Sequence, residues 1–118
     1  MKISYIIAHF CLGPLMFIIA FLFNKFPPKS INHLYGHRTK MSMINKETWN
    51  TANKLSSYMF LKISFITCII QIIGILFNLK FDVTYLFAVT FLIIGMIIGA
   101  INIEKKLKSI FDENGNKK

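Results

Sequence analysis

The sequence predicts an all-α, polytopic membrane protein with three transmembrane helices and one basic cytoplasmic loop. Three observations lead there. Hydrophobic residues make up 54% of the 118 positions and charged ones 16%, with a mean hydropathy of +0.54; a soluble domain carries about a quarter charged residues. The charges are segregated, with long stretches nearly free of them. The basic residues also gather on one side of the alternating segments.

The first span covers residues 3–23 and contains no Lys, Arg, Asp or Glu. At ~1.5 Å per residue it reaches across the ~30 Å hydrocarbon core. It reads as a retained helix and not a cleaved leader, because only Lys2 precedes it and Asn24-Lys25-Phe26-Pro27-Pro28 follows in place of small residues. Pro14, after Gly13, lacks an N–H and should bend it.

Pro27-Pro28 ends that helix and opens a polar loop, residues 24–57. Asn45 has the form of an N-cap, with Glu47 in the first turn where the helix dipole favours an anion. The helix it starts approaches or joins the second span, residues 58–79, and puts Trp49, Asn53, Ser56 and Phe60 on one face. Lys62 lies near the loop end of that span and can snorkel to the surface. A very short turn, Lys80-Phe81-Asp82, leads to the third span, residues 83–103. These make one membrane domain, residues 1–103. A polar tail follows, residues 104–118, whose last five residues read as disordered.

Orientation follows from basic residues. The first loop has six and the tail five, against Lys2 and Lys80 on the other side, with Lys62 left aside. Positive residues stay inside, which predicts N-terminus out and C-terminus in. The net charge of +9 then serves anionic headgroups and not nucleic acid.

Three polar residues fall at one depth on three helices: His9 at ~9 Å from the outer end, Gln71 at ~12 Å and Thr90 at ~10 Å. Polar groups in lipid seek partners across helices. They read either as a structural layer or as a proton-responsive or ligand site around His9. Gly95 and Gly99 form a G-x-x-x-G pair suited to packing against the chain's own helices or a second copy in a homodimer. Cys11 and Cys68 sit in apolar segments and read as small packing residues. No catalytic signature, cofactor motif or metal set is present. His33 and His37 lack a Cys or carboxylate neighbour in the sequence and read as a loop pair.

The loop holds Asn32, Gly36, Arg38 and Thr39, then Trp49 and Asn53. Gly36 permits a turn at positive φ. Arg38 can hold a phosphate or carboxylate through two parallel bonds, or clamp the loop to carbonyls. Trp49 suits the headgroup zone or an anchor for the second helix. This ordered set, entering a membrane helix, resembles the signature of the SdpI family over about residues 1–103. The resemblance implies a membrane protein that protects its cell from a hydrophobic secreted peptide toxin, and that can hold a repressor protein at the membrane. The other reading is a small structural or accessory subunit of a membrane complex, packed through Gly95 and Gly99. A membrane enzyme is set aside, because no acid–base or nucleophile pair converges.

Overall fold

The computed structural model describes residues 2–118 and contains three helices: α1 (Ile3–Lys25), α2 (Lys46–Leu76) and α3 (Phe81–Ile110). All three are long and apolar enough to cross a membrane. The 31 residues of α2 and 30 of α3 extend ~45 Å at the usual rise, against a ~30 Å core. Both therefore project beyond the hydrocarbon. The surplus lies at the basic end, where α2 starts well before its apolar stretch and α3 continues past it.

The bundle is inside-out relative to a soluble one. Ile6, Ile7, Phe10, Ile69, Ile72, Ile94 and Ile98 are exposed, whereas Ser64, Thr67, Gln71 and Thr84 are buried. In lipid the apolar side chains need no shelter, and close packing with internal hydrogen bonds holds helices together. The interior of α2 follows this rule, with Ser57, Ser64, Thr67, Gln71 and Gly74 on one stripe. The hydroxyls of Ser64 and Thr67 donate to the Phe60 and Ile63 carbonyls at 2.7 and 2.8 Å, so they bring no unpaired group into the interface.

The glycines of the third span face α2 beside this stripe, at Ile63 and Met59. A Cβ on Gly95 would meet Ile63 at 3.2 Å, and one on Gly99 would collide with Met59. Both serve the α2–α3 contact within the chain. α2 packs against both neighbours, while α1 and α3 touch only lightly.

Asn45 caps α2: its side chain accepts from the Thr48 N–H at 2.9 Å, and Thr48 returns the bond to the Asn45 N–H at 3.1 Å. At the other end the turn falls earlier than residues 80–82. Asn78 takes a left-handed φ of 53°. Leu79 N–H then reaches the Gly74 carbonyl at 2.9 Å, and Asn78 N–H the Ile75 carbonyl at 3.2 Å. These are the two bonds that close a helix around a left-handed residue, so α2 stops at Leu76 and α3 begins at Phe81.

The tail also departs from expectation. α3 runs on to Ile110, and the last residues fold back instead of trailing away. Lys118 N–H bonds the Ile110 carbonyl at 2.9 Å. The Asp112 carboxylate accepts from Asn114 and Asn116 N–H at 2.9 and 3.0 Å. Phe111 is 1% exposed, buried with Leu107, Ile103 and Ala52. This small core starts at the last residue of the third span and otherwise lies beyond the apolar spans, where water makes apolar burial favourable. It gives the tail a reason to order that its polar composition conceals.

Candidate functional site

The loop between α1 and α2 is interlocked with both long helices. Asn32 makes a turn within it, its carboxamide oxygen accepting from Leu34 and Tyr35 N–H at 2.9 and 2.7 Å. This side-chain turn delivers the chain to Gly36, which has φ 106°. A side chain there would be strained and crowded at once. An added Cβ would lie 2.5 Å from Asn53 Oδ1 and 2.8 Å from Pro28 Cγ.

Two side chains one turn apart on α2 receive the loop. Trp49 is fully buried, and its indole N–H donates to the Pro28 carbonyl at 2.9 Å. Asn53 is 1% exposed. Its oxygen accepts from the His37 N–H at 2.6 Å, and its NH2 donates to the Trp49 carbonyl at 2.9 Å. Trp49 therefore holds the start of the loop, and Asn53 its middle. The ring is not an exposed headgroup anchor: its N–H has a fixed internal acceptor, which favours complete burial.

Thr39 and His37 fasten the loop to α3 through Glu104. The Thr39 hydroxyl donates to Glu104 Oε1, and His37 Nε2 lies 3.3 Å from the same oxygen. Thr39 and Ser42 also exchange backbone-to-hydroxyl bonds, at 2.8 and 3.2 Å. Arg38 is exposed, and one terminal N–H donates to the His33 carbonyl. Among the described residues it meets no carboxylate; Glu104 lies against His37, and Glu47 pairs with Lys117. Beside it, Tyr35 donates to the Phe26 carbonyl at 2.6 Å, and partial burial pushes its phenol pKa above the usual value.

The sequence reading missed Glu104, which appeared only as the first residue of a polar tail. One signal was present. Glu104 is the lone carboxylate between Asp82 and Asp112, placed where the third span meets a basic loop. His37, which has no carboxylate neighbour in the sequence, meets this one from the far end of α3.

Deeper in the bundle, Gln71 joins α2 to the segment of α1 just before Pro14. Its NH2 lies 2.9 Å from His9 Nδ1 and 3.0 Å from the His9 carbonyl. Its oxygen accepts from the Gly13 N–H at 3.1 Å. The backbone donor at Gly13 fixes the amide's orientation, so His9 Nδ1 is the acceptor and the ring's proton sits on Nε2. His9 and Gly13 are four apart, so Gln71 attaches to both groups of one helical rung beside Pro14. Thr90 does not join them. It is exposed on the lipid side of α3, because equal depth says nothing about rotation. α3 instead presents Thr84, which sits over Gly74.

An apolar bundle with a polar seam and a loop locked to two helices defines a small polytopic membrane protein. A family model described as the SdpI/YfhL protein family matches residues 29–103, and the chain belongs to that family. A relative in Bacillus subtilis (strain 168), named as uncharacterized protein YfhL, is 51% identical over 45 residues. That match covers 38% of this chain and 41% of the relative, so it spans about two fifths of the relative's length. No solved structure matches.

Proposed function

We propose that this chain is an immunity-type module of the bacterial cytoplasmic membrane, which protects its cell by binding a membrane-active peptide toxin or masking its target. One observation carries the reading. Gly36, Thr39, Trp49 and Asn53, the residues through which the chain resembles the SdpI signature, build a single locked loop on α2 and α3. A sequence pattern that converges on one rigid juxtamembrane element supports a recognition surface at that end. The accessory-subunit reading relied on Gly95 and Gly99 for an outside partner, and these already face Ile63 and Met59 of the same chain.

The test is survival. Cells lacking their own immunity gene should tolerate a hydrophobic secreted peptide toxin when they express this protein. They should lose that tolerance with Trp49→Ala at equal membrane abundance. Unchanged killing with abundant wild-type protein, across a panel of such toxins, would remove the immunity reading.

A further inference from the structure

The weak contact between α1 and α3 leaves a groove at the basic end of the bundle. Its walls include Ile19 and Phe23 of α1, Phe60 of α2, and Met96 and Ala100 of α3. Residues 35–39 of the loop roof it, with Arg38 at the rim. The cavity volume is about 430 Å³. The cavity thus has largely apolar helix walls, and its loop side carries a guanidinium that bonds the His33 carbonyl and has no acidic partner among the described residues. Glu104, the nearby carboxylate, is already held by Thr39 and His37.

We propose that this groove binds one acyl chain of an anionic phospholipid, with the headgroup phosphate on Arg38. Charge complementarity selects the headgroup, since a phosphate fits the guanidinium fork and a zwitterionic head adds a repelled cation. Volume selects the tail. A single helical turn, ~10 Å across and ~5.4 Å high, would fill about the whole cavity alone, whereas an extended alkyl chain runs along it. The loop supplies rigidity: Asn53 fixes the His37 backbone at 2.6 Å, one residue from Arg38. The proposal does not depend on the immunity reading and would hold for a family member with another task.

Native mass spectrometry of the full chain in nonionic detergent tests it, with phosphatidylglycerol, phosphatidylcholine and inorganic phosphate as probes. One phosphatidylglycerol should bind per protein, about tenfold tighter than phosphatidylcholine, as expected for a charge-assisted contact. Arg38→Ala should remove that preference and Lys40→Ala should keep it. Ile19→Trp, which narrows the slot from its lipid side, should weaken both lipids. Should Arg38→Ala fail to fold, as judged by thermal melting, Arg38→Lys replaces it and should reduce the preference while retaining the charge. Equal binding of the two lipids by the wild type would overturn the proposal, as would an equal loss in Lys40→Ala. Displacement of the lipid by inorganic phosphate alone would reduce the site to an anion contact without a tail groove. Displacement by an apolar peptide with a free C-terminal carboxylate, but not by its amide, would replace the lipid with a peptide ligand.

Discussion

Asn53 makes two different hydrogen bonds with one carboxamide, and no other residue type of its size can do so. Its oxygen takes the His37 N–H, and its nitrogen gives to the Trp49 carbonyl. Asn53→Asp keeps the shape and sets an oxygen against that carbonyl. It should destabilise by about 1–3 kcal/mol, the cost of an unmatched buried polar group. Trp49→Phe orphans the Pro28 carbonyl and should lower stability by about 1 kcal/mol, while Lys40→Ala should leave it unchanged. Thermal melting in detergent orders the three, and equal midpoints would show that the loop is not locked. Arg38 separates from these two: Arg38→Lys should melt like the wild type, because the guanidinium is exposed and holds only the His33 carbonyl. Gly36, Trp49 and Asn53 were singled out in the sequence by their resemblance to the SdpI signature, and the structure brings them together at the loop. Pro28 and Glu104 were not, because one acts through its backbone and the other through the face that α3 turns to the loop.

At the scale of elements, depth was legible and rotation was not. Counting residues put His9, Gln71 and Thr90 at one level, and only His9 and Gln71 meet. A short bifunctional thiol reagent should join cysteines at positions 9 and 71, but not at 9 and 90, in a chain with Cys11→Ser and Cys68→Ala. Linkage of 9 to 90 would mean that α3 is turned by about half a revolution. The stripe Ser57, Ser64, Thr67, Gln71, Gly74 could have fixed the rotation of α2 beforehand, since small and polar residues at three- and four-residue spacing mark a helix interface in lipid. α3 offers a weaker cue, and its glycines are read only against Met59 and Ile63. Gly99→Leu should separate α2 from α3 there and cost about 3 kcal/mol by overpacking, the upper end of the usual range for extra methylenes in a tight core. Gly95→Ala needs a shift of only a few tenths of an ångström by Ile63 and should be far milder.

For the whole molecule, the basic asymmetry predicts which end faces the cytoplasm. Reporters fused after Phe81 and after Lys118 should report outside and inside respectively; activity of a periplasm-only reporter at the C-terminus would reverse the orientation. The folded tail could not be read from composition, because residues 104–118 are polar apart from the few apolar residues that make its core. Deleting residues 112–118 should expose Phe111 and speed tryptic cleavage after Lys40 and Lys46. An unchanged rate would mean that the tail contributes nothing to the loop's protection.

The bond from the Asn45 side chain to the Gly115 carbonyl, at 2.9 Å, ties a residue before the second span to one after the third. It has a consequence for how the chain is made. Asn45 precedes α2 and Gly115 follows α3, so the bond can form only once both helices are in place. The strap then fastens two segments that have to be in the same compartment already. A chain whose second and third helices failed to insert as a pair would leave Asn45 and Gly115 on opposite sides of the membrane, with the strap open and the loop within reach of quality-control proteases. Closure of the strap thus records correct threading.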